Sequence, residues 1–173
     1  MFQFTVLAIT AALVSLDQLT KWLAVITLKN ATAIELLPRV LGLSYVENHG
    51  AAFGILQGQR YLFLIITGLV MAALLALLLF GKFRKYRLFN ISATLIVAGG
   101  LGNFIDRLIH GYVVDFIEFL FFDFPVFNVA DCYVVVGSVL LLVFFFFVYD
   151  EKKPPVIGKT EEPHEDDSTD HTN

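Results

Sequence analysis

Two aspartates carry the most promising chemistry in this sequence. Asp115 closely follows the turn-forming Gly111, and Asp131 lies 16 positions later, at the start of an apolar stretch. An excursion of that length can bring the two carboxyl groups face to face, and such a pair shares a proton because both members cannot ionise cheaply. The pair can hydrolyse an amide, since one carboxylate takes a proton from the attacking water while the other protonates the carbonyl oxygen.

Spacing alone leaves the assignment of this pair open. Glu118 and Asp123 lie in the same predicted loop as Asp115, and either could be the partner of Asp131. Asp115 could also be an ordinary loop acid. Asp131 could be an acid stabilised by the positive end of a helix dipole.

Serine and zinc chemistry fit the sequence poorly. The Ser and Thr residues at membrane depth have no histidine placed to activate them. His164 and His171 lie in a polar tail, His49 and His110 lie in separate loops, and no HExxH pattern is present. Cys132 is the only cysteine, which excludes an internal disulfide and a cysteine-cluster metal site. We therefore expect neither a metal nor a cofactor.

Further polar side chains lie inside apolar stretches, where each charge costs about 2.5 to 3.5 kcal/mol on insertion scales. They are Asp17, Lys21, Asn103, Arg107, Asn128 and Asp131, with Asp106 beside Asn103 and Arg107. Spacings of three and four place neighbouring members on one helix face. Helices rise about 1.5 Å per residue. On three different helices these groups therefore lie roughly 7 to 10 Å from the helix ends that face the same side of the membrane. Contacts that merely join helices would be scattered over both halves, so the pattern favours one convergent polar site.

Four apolar stretches are long enough to position that site in a bilayer, which requires about 20 residues of helix. They cover residues 2–28, 61–80, 88–109 and 126–149. The first lacks a basic leader and contains Asp17 and Lys21, so we predict a retained span rather than a cleaved signal peptide. The chain is 57% hydrophobic and 16% charged, whereas soluble domains are about a quarter charged. The sequence predicts an all-α integral membrane protein with four transmembrane helices.

Basic residues predict how the chain crosses the membrane. Four of them cluster between the second and third spans: Lys82, Arg84, Lys85 and Arg87. Such clusters are typical of cytoplasmic loops, and Lys152 and Lys153 after the fourth span agree. We therefore predict a multi-pass protein with both termini in the cytoplasm and the polar site near the extracytoplasmic face.

Two segments lie outside the spans. Residues 29–60 form an insert in which IELLPRVLGLSYVE alternates apolar and polar residues around Pro38 and Gly42, and it predicts a small extracytoplasmic β-cradle. The following AAFGILQG predicts a short surface helix. Residues 150–173 contain eight acidic residues and three lysines, and we predict a disordered acidic cytoplasmic tail outside the membrane domain of residues 1–149.

Five blocks of this sequence, in order, resemble motifs of the bacterial lipoprotein signal peptidases (signal peptidase II) over residues 1 to about 149. They are DQLTK at 17–21, VENHGAAFG at 46–54, GGLGNFIDR at 99–107, VVDF at 113–116 and FNVAD at 127–131. The resemblance implies that Asp115 and Asp131 are the catalytic pair. It disfavours Glu118 and Asp123 as the catalytic partner of Asp131. Cys132 stands where that family commonly has serine, which bears on a supporting hydrogen bond and not on the pair itself.

The same resemblance implies a substrate and a set of supporting residues. The substrate would be a prolipoprotein with diacylglycerol on a cysteine, cleaved just before that cysteine by an aspartic endopeptidase, and globomycin would inhibit the reaction. The supporting residues would be Asp17, Lys21, Asn48, Gly50, Phe53, Asn103, Arg107 and Asn128. We expect a monomer in the bacterial cell membrane, in contact with membrane lipids and the lipid-modified precursor and without a nucleic-acid partner.

The residues alone leave two other classes of membrane protein open. A small ion- or proton-coupled transporter would also use intramembrane Asp, Lys and Arg, although the cytoplasmic halves of these spans carry almost no titratable groups that could complete a relay. A non-enzymatic scaffold would tolerate the loss of both aspartates.

Overall fold

Four long helices form the body of the protein in a computed structural model that describes residues 2–50 and 58–149. They are α1 (Phe2–Leu28), α2 (Arg60–Phe80), α3 (Arg87–Ile109) and α4 (Val129–Val143), the last continuing as a π-helix over Phe144–Val148. Each is long and apolar enough to cross a membrane, where helices satisfy their own backbone hydrogen bonds. The predicted four-helix membrane protein is confirmed.

The first three helices match the predicted spans to within one residue, whereas the fourth begins three residues later than predicted. Phe127 pairs with Ile117 in an isolated β-bridge, and Asn128 has an extended backbone. The Asn128 side chain accepts a hydrogen bond from the Asp131 amide, and the Asp131 carboxylate accepts one from the Asn128 amide. This reciprocal capping box fixes the start of α4.

A small antiparallel sheet lies at one end of the bundle. Its strands, in spatial order, are β1 (Ile34–Leu37), β2 (Leu41–Asn48) and β3 (Val113–Phe119). The β1–β2 hairpin confirms the predicted β-module, and its turn contains Arg39 with a φ of 60°. The third strand, β3, comes from the segment after α3 that we predicted to be a loop. Gly42 lies within β2, beneath the Leu120 side chain, and not in the turn.

Apolar clusters hold the two ends of the bundle. One buried cluster comprises Val6, Leu78, Phe89, Ala93 and Phe144, and the other comprises Ala24, Leu28, Val114 and Phe116. The first includes Phe83 of the basic hairpin among its packed neighbours, and the second joins the end of α1 to β3. The basic hairpin and the sheet therefore lie at opposite ends of the molecule.

Close helix packing depends on small residues. The central helix α3 packs against α1, α2 and α4. A Cβ atom on Gly137 of α4 would lie only 2.8 Å from the Ser92 carbonyl oxygen of α3, and one on Gly102 would overlap the Asp17 carboxylate of α1. Glycine at these two positions lets the helices approach until their polar groups can meet.

Residues 51–57, which hold most of the predicted surface helix, lie outside the described part of the chain, as does the predicted tail from residue 150 onward.

Candidate active site

Asp115 and Asp131 converge where the sheet meets α4. Asp115 lies on β3, opposite Val46 of β2, and only 2% of its surface is exposed. Asp131 lies in the first turn of α4. The Asn128 side chain donates to Asp115 Oδ1 at 2.6 Å, and its backbone amide donates to Asp131 Oδ2 at 3.1 Å. A single residue therefore holds both carboxyl groups.

Two further asparagines complete the hydrogen bonding of the pair. Asn48 of β2 donates to Asp115 Oδ2 at 2.8 Å, and Asn103 of α3 donates to Asp131 Oδ1 at 2.7 Å. Asn128 also donates to Asn103 Oδ1 at 3.2 Å. All four carboxyl oxygens thus accept a hydrogen bond from a neutral amide. These donors orient the carboxyl groups without adding a full positive charge beside them.

Burial and like charge together alter the proton affinity of Asp115. Burial disfavours its charged form, and the nearby Asp131 disfavours it further, so the pKa of Asp115 rises to about 7 against the opposing hydrogen bonds of Asn48 and Asn128. A carboxyl group that exchanges its proton near neutral pH is suited to general acid–base chemistry.

Behind the carboxyl pair lies a buried ionic network. Lys21 Nζ lies 3.0 Å from Asp17 Oδ2, 3.0 Å from Asp106 Oδ2 and 2.8 Å from Asn103 Oδ1. Lys21 and both aspartates are almost fully buried. The structure therefore brings the predicted Asp17, Lys21 and Asn103 together, and it adds Asp106. The sequence places Asp106 beside Asn103 on the same helix, but it was not predicted as a site residue.

Arg107 and Gly50 lie at the rim of the site. Arg107 Nη2 donates to the Gly50 carbonyl oxygen at 3.0 Å, and its guanidinium carbon lies 4.7 Å from the centre of the Phe63 ring. The Gly50 amide in turn donates to Asn48 Oδ1 at 3.0 Å. These contacts tie α3 to the end of β2 beside Asp115. Phe53, also predicted for the site, lies outside the described residues.

The other acids considered from the sequence lie elsewhere. Glu118 is three positions after Asp115 on the same strand, so its side chain points to the opposite face of the sheet. Asp123 is exposed in the loop before α4. Within the described residues, the hydrogen bonds of Asp131 involve Asn103 and Asn128.

A cavity of about 510 Å³ opens beside the carboxyl pair. Its polar wall is formed by Asn48, Arg107, Asp115 and Asp131, and its remaining wall by Phe119, Phe124, Pro125, Val126, Phe127, Cys132, Val135 and Val136. The polar groups occupy one side of an otherwise apolar space. Such a cavity suits a ligand that is mostly apolar and has one reactive polar bond.

No group of three or more His, Cys, Asp or Glu side chains that could hold a metal ion is present among residues 2–50 and 58–149. The polar groups around the cavity are carboxyl, amide and guanidinium groups, whose joint chemistry is proton transfer and hydrogen bonding.

The fold and site define a class: a membrane protein with four spanning helices and a buried carboxyl pair beside an apolar cavity. Comparison with known proteins gives the family. Residues 9–147 match the family model described as signal peptidase (SPase) II. The chain belongs to the signal peptidase II family, so it is a membrane peptidase, and the resemblance found in the sequence is confirmed.

Individual relatives agree with the family match. The chain is 46% identical over 129 residues to a lipoprotein signal peptidase of Streptococcus thermophilus strain CNRZ 1066, covering 75% of this chain and 84% of the relative. It is 42% identical over 135 residues to that of Listeria monocytogenes serotype 4a strain HCC23, covering 76% and 86%. A bacterial membrane enzyme solved by the in meso method at 2.3 Å resolution is similar with a TM-score of 0.76 and 36% identity, covering 87% of this chain and 94% of the other.

Proposed function

We propose that this peptidase is an aspartic endopeptidase that removes the signal peptide from diacylglyceryl-modified prolipoproteins, cleaving before the lipidated cysteine. The observation that carries the proposal is the carboxyl pair itself. Asp115 and Asp131 are joined through Asn128 and Asn103 by hydrogen bonds of 2.6 to 3.2 Å. A buried pair of this kind holds one proton between its members.

The proposed reaction uses a water molecule between the two carboxyl groups. The ionised carboxyl takes a proton from this water as it attacks the scissile carbonyl carbon, while the protonated one donates to the carbonyl oxygen. When the tetrahedral intermediate collapses, the C–N bond breaks, the newly protonated carboxyl gives its proton to the leaving amine, and the other carboxylate takes a proton from a hydroxyl of the intermediate, so the pair again holds one proton. The raised pKa of Asp115, to about 7, supports a shared proton at neutral pH. The hydrogen bonds from Asn48, Asn103 and Asn128 would keep the two carboxyl groups oriented toward this water.

The cavity supports an apolar substrate. Its aromatic and aliphatic wall continues along α4 through Val135 and Val136, which are exposed on a membrane-spanning helix. A peptide that remains anchored in the bilayer by acyl chains can meet Asp115 and Asp131 there without leaving the membrane. Arg107, whose guanidinium group also lines the cavity, would hold a substrate carbonyl group.

The proposed orientation places the site near the extracytoplasmic face. The basic hairpin Lys82–Lys85 lies at the end of the bundle opposite the sheet. Along α3, Asn103 is 16 residues from Arg87, a distance of about 24 Å. With the hairpin in the cytoplasm, both termini are cytoplasmic and the carboxyl pair is extracytoplasmic. We propose that the enzyme acts as a monomer, because one chain supplies every group of the site.

The test of this function is the replacement of each carboxyl group. Asp115→Asn and Asp131→Asn should each slow cleavage of a diacylglyceryl-modified precursor by about 10²- to 10⁴-fold, the usual contribution of one acid–base group. Cleavage by the purified protein in detergent can be followed by gel shift, with circular dichroism to confirm folding.

Two controls make the result specific. Asp123→Asn changes an exposed acid and should leave the rate unchanged. The same precursor without its lipid should resist the wild-type protein. Near wild-type cleavage by folded Asp115→Asn or Asp131→Asn would refute the aspartic mechanism, and equal cleavage of both precursors would refute the substrate class.

A further inference from the structure

Two buried carboxylates each hold the backbone next to one member of the carboxyl pair. The Val114 amide, directly before Asp115, donates to Asp106 Oδ2 at 3.1 Å. The Ala130 amide, directly before Asp131, donates to an oxygen of Asp17 at 2.9 Å. The two arrangements are alike, although Asp106 comes from α3 and Asp17 from α1.

Lys21 connects these two carboxylates. Its ammonium group lies 3.0 Å from Asp17 Oδ2 and 3.0 Å from Asp106 Oδ2, and only 3% of Lys21 is exposed. Gln18 reinforces the link, since its side-chain amide donates to Asp106 at 2.9 Å and to Asp17 at 3.3 Å. At such burial the attraction between these charges is screened much less than at a surface.

The geometry points to Lys21, Asp17 and Asp106 as one clamp of positioning residues that sets the separation of Asp115 and Asp131. This inference rests on the proposed function and adds a role for three residues that are not among those lining the cavity. Without the Lys21 ammonium group, Asp17 and Asp106 lose the ion pairs that join them, and one of the two buried carboxyl groups would take up a proton. Their hydrogen bonds to the Ala130 and Val114 amides would then no longer hold these two backbone positions, and the carboxyl groups that follow them, at one fixed separation.

The size of the expected effect follows from the precision that catalysis requires. A misplacement of about 1 Å can reduce a rate by about 10²-fold. Because the clamp acts on the reacting groups and not on the apolar wall of the cavity, the loss should appear in kcat while KM changes by less than about threefold.

The decisive variant is Lys21→Met, which keeps a long unbranched side chain and removes the charge. We expect kcat to fall by about 10²-fold. We also expect hydrogen exchange at the amides of Val114 and Ala130 to accelerate by at least about tenfold. The exchange measurement does not depend on activity. Failure of the wild-type protein to cleave the precursor would therefore refute the proposed function, whereas the exchange result would still decide whether the clamp exists.

Matched controls remove a different buried hydrogen bond from each of the same two helices. Thr10 of α1 donates to the Val6 carbonyl at 2.9 Å, and Ser92 of α3 donates to the Leu88 carbonyl at 2.7 Å. Thr10→Val and Ser92→Ala should lower thermal stability without changing kcat or the exchange of the two amides. These two controls show whether a fall in kcat comes from loss of positioning by the clamp or from lower stability of the whole protein.

A second pair of variants tests whether Asp17 and Asp106 act together through Lys21. It keeps the clamp testable if Lys21→Met does not fold. Asp17→Asn and Asp106→Asn should each lower kcat. The double variant should lose no more than about threefold beyond the worse single variant, because both act through Lys21. Unchanged amide exchange in Lys21→Met would overturn the clamp. Multiplicative losses in the double variant would also overturn it, since they would show two independent supports.

Discussion

At the scale of single residues, the chemistry depends on the proton that Asp115 holds. Burial and the neighbouring Asp131 raise its pKa from the ordinary value for aspartate, 3.8, to about 7. A raised carboxyl pKa means that the proton is retained through mildly acidic pH and is lost as pH rises through about 7. A mechanism that needs one proton on the pair must then fail on the alkaline side.

We expect kcat/KM for the lipidated precursor to be near its maximum at about pH 6, to be about half of that at pH 7 and to fall about tenfold per pH unit well above pH 7. Initial rates in detergent at constant ionic strength will measure this profile. Thermal unfolding at each pH serves as the control that the protein stays folded. A rate that stays flat to pH 9 would contradict the shared proton.

Sequence reasoning at this scale predicted residues that share one helix face and the meeting of Asp115 with Asp131, but it did not predict the partners of Asp106. Asp17 and Lys21 are four positions apart, and their ion pair could be predicted from that spacing alone. Asp106 is held by Gln18, Lys21 and the Val114 amide. Those partners belong to α1 and β3, so the position of Asp106 beside Asn103 on α3 does not reveal which groups it holds.

At the scale of helices and strands, close contact between α3 and α4 positions the second carboxyl group. Gly137→Ala should destabilise the protein by about 1 to 3 kcal/mol, the usual cost of overpacking. The added methyl group would lie 2.8 Å from both the Ser92 carbonyl oxygen and the Ile96 side chain. Thermal unfolding in detergent measures the loss.

The matched control is Gly68→Ala on α2. The nearest atom to its new methyl group, in Phe104, would be 3.6 Å away, which is an ordinary contact. This variant should be neutral or slightly stabilising, because alanine is a better helix former than glycine. Equal unfolding temperatures for the two variants would mean that α3 and α4 tolerate a wider separation.

The helices and the β1–β2 hairpin could be predicted from the sequence, whereas β3 could not. Long apolar runs define the helices, and alternation defines the hairpin. Val113, Val114, Asp115 and Phe116 are all buried, so both faces of the first half of β3 are covered and no alternation appears. A short apolar run of this kind is ambiguous until its partner strand is known.

At the scale of the whole molecule, the tip of the sheet presents an apolar surface. The exposed side chains there are Leu36, Leu37, Val40, Phe121 and Phe122. The Leu120 amide donates to the Val40 carbonyl at 3.0 Å, so the hairpin turn and the loop after β3 are adjacent. Exposed Phe and Leu side chains can bury themselves at the boundary between headgroups and acyl chains, and we predict that this tip lies in the outer leaflet.

The single tryptophan makes that prediction measurable. In a Trp22→Phe background, Phe121→Trp should be quenched by brominated phosphatidylcholine in vesicles, most strongly when the bromines are shallow. The wild-type protein supplies the depth reference, because Trp22 is exposed on α1 about 9 Å before the helix ends, and deeper bromines should quench it best. No quenching of the new tryptophan would contradict the prediction and place the tip outside the bilayer.

The strand order of the sheet also has a consequence for how the enzyme is made. The central strand β2 pairs along its length with β3, which is synthesised about 70 residues later. At roughly 5 to 20 residues per second, the nascent chain carries β2 with one open edge for about 4 to 14 s while two further spans are inserted. A ribosome that stalls after α2 would leave that edge exposed at the membrane surface, so such a truncated chain becomes a candidate for aggregation and for quality-control proteolysis.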